Sequence, residues 1–344
     1  MATATLGGMK AWLLTDTTGI DAFVLDDIET PEPGEGEVRV KLRTSGLNHL
    51  DLWVSRGLPA PKHLPHVLGA DGAGTIDAVG ERVGGLQPGD EVVIDPSLSC
   101  GACEACGRDD IVYCRQFGIL GEHHTGTLAE YVVVPARNAL PKPTSLDWDK
   151  AGAFGLVTGT ALRMLDRGRL ARGETVLIPG IGGGVSSAAL LLAKARGARV
   201  FVTSRSPDKI AWAVEHGAEA GFDSAGEFSS EMKEHGGADI VIENVGPATW
   251  GQSLRSLKPG GRMVVCGATT GPKVELTIPV LWFKQLELIG SSMATHAQFS
   301  RALTLVASGE VEVPVDSVFE FERLPDALRH LDSSAQLGKV VISR

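Results

Sequence analysis

The sequence predicts an α/β protein in two parts, a β-rich part followed by a doubly wound parallel sheet. Three observations carry this reading. From Met9 to about Pro143, short alternating runs are punctuated by Gly and Pro; after Trp148, apolar strands alternate with helical patterns; and the glycine cluster Gly180 to Gly184 falls where a strand hands over to a helix. A chain of 344 residues exceeds one compact core and is expected to divide into two domains.

The predicted strands of the first part are Lys10 to Leu14, Glu37 to Thr44, Thr75 to Val79, Asp90 to Ile94 and Leu128 to Val134. Pro33 to Gly36 makes a turn, after which Val38, Val40 and Leu42 share one face. Regular short strands at this spacing suggest a barrel or a folded-over sheet. Between them lie two polar stretches, Ser45 to Asp51 and Gly69 to Gly74, and a loop holding four of the five cysteines as C-x2-C-x2-C-x7-C: Cys100, Cys103, Cys106 and Cys114. Four thiolates so close in sequence can close a tetrahedron around Zn²⁺, and with no open position such an ion holds shape and does no chemistry. Two disulfides are the alternative. The N-terminal MATATLGGMK lacks the basic start and apolar core of a secretion signal, so reduced thiols and a cytoplasmic location are expected.

In the second part, Glu174 to Pro179 is an apolar strand, Gly180 to Ser187 a turn, Ala188 to Arg196 an Ala/Leu-rich helix and Arg199 to Thr203 the next strand. A glycine turn between strand and helix lets a pyrophosphate approach the backbone and rest at the positive helix N-terminus, which makes Gly180, Gly182, Gly183, Gly184 and Val185 the candidate cradle of a Rossmann dinucleotide site. The fingerprint is imperfect: Ile181 stands at its first glycine position and Ser186 at its last. An NAD site wants a carboxylate at the end of the second strand, to accept from the ribose 2′-hydroxyl, but the chain has Thr203-Ser204-Arg205-Ser206. A hydroxyl and a guanidinium bind a 2′-phosphate through charge-assisted bonds, so NADP(H) is expected, held by Ser204 and Arg205 with Lys209 a weaker candidate. The plain alternative makes Arg205 a surface charge and Ser206 the cap of the helix beginning at Pro207.

Further strands are predicted at Ala238 to Glu243, Gly261 to Gly267 and Gln285 to Gly290, with a last one at Gly338 to Ile342. Loops at the carboxyl ends of the first two lie where open α/β sheets bind ligands. Cys266 reads as a small buried residue, and the stripes Phe299, Ala302, Leu303, Val306 and Leu324, Ala327, Leu328, Leu331 read as core. A net charge of -10 argues against nucleic acid, and no apolar run is long enough to span a membrane. The apolar Val280 to Ile289 segment beside a late strand suggests a homodimer or homotetramer.

The cysteine loop and the spacing G-x-D-x-x-G-x5-G-x2-V from Gly69 to Val83 resemble the medium-chain dehydrogenase/reductase superfamily, which contains the zinc alcohol dehydrogenases and the quinone oxidoreductases. The resemblance covers nearly the whole chain. It implies a GroES-like catalytic domain from residues 1–154 and 293–344, with the four cysteines on one structural Zn²⁺, and a Rossmann domain from 155–292. It also implies that Asn244, Gly267 and Ala268 contact ribose and nicotinamide, that the substrate lies between the domains, and that the loop holding His123 and His124 borders the cleft, with at most one of the two facing substrate and two exposed loop histidines the plain alternative. The family's catalytic zinc is bound where this chain has Asn48, Ala70 and Phe154, with Asp71 replacing a neighbouring Glu. Alanine and phenylalanine offer no lone pair and an amide oxygen is a poor exchange for thiolate, so that zinc is expected to be absent.

The expected function is then hydride transfer from NADPH to a quinone, enone or aldehyde without a catalytic metal. Asn48 would donate directly, His49 would donate a bond or a proton, and Asp51 would orient its neighbours. One alternative is a zinc-dependent alcohol dehydrogenase with ligands drawn from His49, Asp51, His63, His66 and Asp71, although no pair there has the usual ligand spacing. Another is a non-enzymatic NADPH-binding protein.

Overall fold

The computed structural model describes residues 8–344; most of the N-terminal stretch read above for a secretion signal lies outside them. The chain divides into two compact units. One runs to Leu156 and includes Thr295–Ala307 and Val313–Arg344; the other is Val157–Ala294 with Ser308–Glu312.

The first unit is built on a seven-stranded sheet. Its order is Ala139–Pro141, Glu91–Ile94, Ala73–Val79, Glu37–Gly46, Lys339–Ser343 and Val315–Glu320, with Tyr131–Pro135 also paired to Glu37–Gly46. Val38, Val40 and Leu42 point inward as their alternation predicts, into a core with Ile76, Val92, Ile94, Val132 and Val134. The chain's last strand, Lys339–Ser343, pairs antiparallel with the end of Glu37–Gly46, so residues near 46 and near 340 become neighbours. A three-stranded sheet of Gly8–Leu14, Phe23–Glu29 and His66–Val67 packs its inner face into a second core with the helix Leu324–Asp332. The four residues predicted as a helical stripe there, Leu324, Ala327, Leu328 and Leu331, are all buried.

The second unit is a six-stranded sheet with every neighbouring pair parallel. Its order is Ala220–Asp223, Arg199–Ser204, Thr175–Ile178, Ala238–Glu243, Leu257–Val265 and Glu287–Gly290. Parallel strands covered on both faces need no polar side, which is why Thr175–Ile178 is buried at all four positions. Strand order reverses at Thr175–Ile178, the arrangement of a Rossmann sheet, and the carboxyl ends of this strand and of Ala238–Glu243 flank the switch point. Among the described residues no helix is long and apolar enough to cross a membrane.

Candidate active site and cofactor cradle

Asn48 sits between the strand Glu37–Gly46 and the short helix His49–Ser55, and its side chain is buried. Its amide is fully engaged. Nδ2 donates to Gly46 O (3.2 Å) and to Asp71 Oδ2 (3.0 Å), while Oδ1 accepts from Lys339 Nζ (2.6 Å). Lys339 Nζ also donates to Asp71 Oδ2 at 2.9 Å, and the backbone N–H of Leu156 donates to Asp71 Oδ1 at 2.6 Å. Both charges are out of water, Lys339 being 3% and Asp71 1% exposed, so each needs the other. Both amide hydrogens of Asn48 are thus spent within the chain, and the direct donation expected of it has no free hydrogen in this arrangement.

The other two positions that carry zinc ligands in the zinc-dependent dehydrogenases offer nothing to a metal. Ala70 and Phe154 are fully buried, and the Phe154 ring packs on Phe299 with centroids 5.3 Å apart. Among the described residues, the one group of three or more His, Cys, Asp or Glu side chains that brings its ligand atoms together is the cysteine loop. The set His49, Asp51, His63, His66 and Asp71 does not converge: the His66 ring nitrogen is used by Gly121 O at 3.2 Å, and His63 is exposed.

Asp51 lies in the first turn of the helix His49–Ser55 and reaches back to accept from the Asn48 backbone N–H (2.8 Å), while its other oxygen accepts from the Gly69 N–H (3.0 Å). It clamps the Asn48 turn to the Gly69–Asp71 turn. Burial pushes its carboxyl up to about 6 against the opposing pull of Asn48 N–H, Lys339 and Gly69 N–H. His49 is half-buried with its ring 6.3 Å from that of Trp53. His123 and His124 are both exposed in their loop; His123 Nδ1 accepts from the Ile119 N–H at 3.3 Å.

The four thiols converge. Sγ separations are 3.7 Å for Cys100 and Cys106, 3.5 Å for Cys103 and Cys106, and 3.5 Å for Cys100 and Cys114, and no disulfide is formed. A tetrahedron with Zn–S of about 2.3 Å has edges of about 3.8 Å, so the donor set fits one structural Zn²⁺ with all four positions filled.

In the second unit the glycine turn follows Thr175–Ile178 and runs into the helix Gly184–Ala195. Gly180 (φ 70°) and Gly182 (φ 109°) hold backbone that side chains avoid. A Cβ on Gly182 would lie 2.4 Å from Lys209 Cδ, so the Lys209 side chain runs directly over the turn, a closer placement than its sequence position suggested. Ile181 is buried and its N–H bonds Thr203 O (2.8 Å), while Ser186 Oγ donates to Gly180 O (2.8 Å) and closes the turn in place of the last glycine. Ser204 is buried and its hydroxyl accepts from the Ser206 N–H at 3.1 Å; Arg205 is exposed. Ser206 caps the helix Pro207–Glu215 by accepting from the Lys209 N–H at 3.4 Å. Positive-φ backbone at a helix N-terminus, with Lys209, Arg205 and a hydroxyl beside it, is an arrangement that could hold phosphate groups.

The loops at the next two strand ends are stitched together. Thr269 Oγ1 donates to Asn244 O (3.0 Å), and a Cβ on Gly267 would lie 2.8 Å from that same oxygen. Beneath them Glu243, fully buried, accepts from the N–H groups of Val245 (2.8 Å) and Gly246 (3.0 Å) and from the hydroxyls of Thr249 (2.9 Å) and Ser253 (2.6 Å). Cys266, read from the sequence as buried, is half-buried; desolvation, reinforced by the Glu243 charge, pushes its thiol up to about 12, which argues against a nucleophilic role. Glu243 and Lys339 are the two residues of these sites that sequence reasoning passed over. The one available signal was a charge at the end of an otherwise apolar strand, and such a charge is usually solvated.

Two family models match, the "Alcohol dehydrogenase GroES-like domain" over residues 34–144 and the "Zinc-binding dehydrogenase" over 184–308. The chain is 32% identical to the acryloyl-coenzyme A reductase of Metallosphaera sedula, over 93% of this chain and 96% of that one. Its fold matches a solved NAD-dependent alcohol dehydrogenase with a TM-score of 0.95 at 39% identity, covering 98% of this chain and 100% of the other. It also matches a crotonyl-CoA carboxylase/reductase, AntE, solved in complex with NADP, with a TM-score of 0.89 at 25% identity, covering 100% and 96%. With the cysteine loop, the GroES-like and Rossmann units and these relatives along its whole length, the chain belongs to the medium-chain dehydrogenase/reductase family of oxidoreductases.

Proposed function

We propose that the protein uses NADPH to reduce a small molecule in which a double bond is conjugated to a carbonyl, an enone, quinone or enoyl thioester, and that it does so without a catalytic metal. The observation that carries this reading is the donor set around Asn48: a lysine ammonium bonded to the amide oxygen, with Ala70 and Phe154 buried and ligandless. A Lewis-acid zinc contributes several kcal/mol to simple carbonyl or alcohol chemistry, whereas a conjugated acceptor is already electrophilic. NADPH, when bound, supplies the hydride. The protein's part is to hold the pyrophosphate at Gly180 to Val185, the 2′-phosphate with Ser204, Arg205 and Lys209, and the ribose and nicotinamide with Asn244, Gly267 and Ala268. In this reading His49, next to Asn48, donates the proton, and Asp51 fixes the turn that carries it. The acryloyl- and crotonyl-thioester relatives support this acceptor class.

The test is NADPH consumption across enones, enoyl thioesters, quinones and aldehydes, with zinc counted per chain. Turnover of a conjugated acceptor with one zinc is expected; two zincs, or alcohol oxidation alone, would sink the proposal. A second reading, an NAD-dependent alcohol dehydrogenase, is favoured by the 39% identity to such a protein and is judged by the same assay. For the cofactor, Arg205→Ala is expected to lower the ratio of kcat/KM for NADPH to that for NADH by roughly 10- to 100-fold, the worth of one charge-assisted hydrogen bond. An unchanged ratio would mean that Arg205 is a surface charge.

The working form we propose is a homodimer joined at the edge of the parallel sheet. Glu287–Gly290 is an edge strand with open backbone, and the helix Ile278–Lys284 beside it buries none of its residues, leaving Ile278 60%, Trp282 53% and Phe283 80% exposed. A strand edge flanked by apolar side chains is self-complementary about a two-fold axis, which makes a second copy the natural occupant. Light scattering should give twice the chain mass for the native protein and a shift toward one chain for Phe283→Glu; an unmoved mass would place the interface elsewhere.

A further inference from the structure

The strand His66–Val67 and the loop from Gly118 to Gly126 pack on one another beside the Asn48 turn. The Gly126 N–H bonds Val67 O (2.8 Å), the Gly121 N–H bonds His124 O (2.8 Å), and a Cβ on Gly121 would lie 2.5 Å from Gly69 N, whose N–H Asp51 holds. His66 reaches across to this loop. Its Nε2 lies 3.2 Å from Gly121 O, and since a carbonyl only accepts, Nε2 carries the hydrogen and Nδ1 is the nitrogen left over. The His124 ring folds back over Gly118, where a Cβ would lie 2.8 Å from its Nε2. Lys62 comes from the segment before His66, in which Pro59, Pro61 and Pro65 restrict the backbone.

These groups act on one another as like charges. Burial holds the His66 imidazole below its ordinary value, opposed by the Gly121 bond and assisted by the His124 charge; burial likewise holds His124 down, assisted by the charges of His123 and Lys62. No carboxylate answers them. Glu122 is half-buried and lies 3.8 Å from His123 Nε2, and among the described residues no acid pairs with Lys62, His66 or His124. With 42 acidic against 32 basic residues in the chain, a basic cluster that lacks an acid is not what composition alone would produce. An anion supplied from outside would relieve the repulsion at all three groups together.

We infer that Lys62, His66 and His124 form a subsite for an anionic group on the acceptor, either a phosphate of an enoyl thioester's carrier or a carboxylate on a small enone. Lys62 supplies a standing charge, and the two imidazoles supply hydrogen bonds that become charge-assisted when the anion draws protons onto them. The subsite adjoins the Asn48 turn through Gly121 and Gly69, so an acceptor anchored by its charge is brought to the turn that carries His49. The inference deepens the proposed reduction and rests on it for its kinetic readout.

The first measurement compares acceptors that differ in charge alone: crotonyl-coenzyme A with the crotonyl thioester of N-acetylcysteamine, which lacks phosphate, and 4-oxopent-2-enoate with pent-3-en-2-one, which has a methyl group in place of the carboxylate. For each pair the quantity read is kcat/KM for the charged acceptor over that for the neutral one. Lys62→Ala with His124→Gln, both at exposed positions, is expected to lower this ratio about 10- to 100-fold, the worth of one or two charge-assisted bonds, and Lys62→Glu should lower it further than Lys62→Ala. A fall in the first pair alone assigns the anion to the carrier, and a fall in the second alone assigns it to the enone; a ratio within about twofold of native in both pairs overturns the inference. The second measurement needs no activity. Inorganic phosphate or acetate, added at millimolar concentration while the His66 and His124 ring protons are followed by NMR across pH, should raise the pKa of both imidazoles, and less so in Lys62→Glu. Rings that neither anion moves overturn the inference whatever substrate the enzyme uses, whereas native protein that reduces none of the conjugated acceptors fails the proposed reaction and leaves the titration standing.

Discussion

Cys106→Ser is expected to take the zinc content from one per chain to none and to lower the melting temperature by about 10 °C. The loop from Cys100 to Cys114 has little else to hold it. Its helix, Glu104–Gly107, is four residues long and buries none of them, and Asp109 sits at φ 59°, a strained value for a side chain other than glycine. The converging sulfurs supply the cross-link instead: with the ion in place, one loop is closed at four points, and the free energy of binding becomes free energy of folding for that segment. Removing one thiolate leaves three donors and an open position, which turns a closed structural site into a labile one. The loss reaches beyond the loop because Asp109 Oδ2 accepts from the Ala297 N–H (3.0 Å), at the start of the helix His296–Ala307 that carries Phe299 to Phe154. A loss of about 3–5 kcal/mol in a protein of this size corresponds to the stated shift. Metal analysis and a thermal melt check it; an unchanged zinc content would mean that the ion sits elsewhere.

That loop was legible in the sequence because its information is local: four cysteines within fifteen residues name their own partner. The parallel sheet was legible for the same reason, since strands buried on both faces are continuous apolar runs and the glycine turn lies between its own strand and helix. Edges were harder. Phe23–Glu29 and Val315–Glu320 are edge strands whose residues are nearly all half-buried or exposed, with acidic residues among them, and they went unseen together with the short Ala220–Asp223 strand. Leu257–Val265 begins four residues before its predicted start because Lys258-Pro259-Gly260 reads as a turn, and Tyr131–Pro135 begins after Leu128, whose N–H goes to Leu68 O. Least legible was the centre of the candidate active site. Asn48, His49 and Asp51 could be picked out as a polar cluster, yet what engages the Asn48 side chain is Lys339, 291 residues away, and nothing local to either residue announces the pairing.

Glu243→Ala is expected to weaken NADPH binding at least tenfold and to destabilise the second unit by about 3–5 kcal/mol. The carboxylate is fully buried and gathers four donors, two from the backbone of the loop it precedes and two from hydroxyls of the helix Pro247–Ser256. Alanine leaves the two N–H groups and the Ser253 hydroxyl without this acceptor, while the Thr249 hydroxyl keeps Gly246 O (3.3 Å), and each buried donor so orphaned costs about 1–3 kcal/mol before relaxation. The Val245 and Gly246 N–H groups matter most for function, because they fix the turn in which Gly246 holds φ 93° and Asn244 O receives Thr269. Once that turn loosens, Gly180 loses its packing against Val245 on one side and Gly267 its close approach to Asn244 on the other, so both walls of the proposed nicotinamide end move together. Glu243→Gln keeps the shape and one acceptor oxygen but turns an amide N–H toward other donors, and should fall between native and alanine in both properties. Fluorescence titration with NADPH and thermal melts separate the two effects. If Glu243→Ala lowered the melting temperature and left the NADPH dissociation constant unchanged, the loops at Asn244 and Gly267 would be scaffold, and the cofactor would be held by the glycine turn, Arg205 and Lys209 alone.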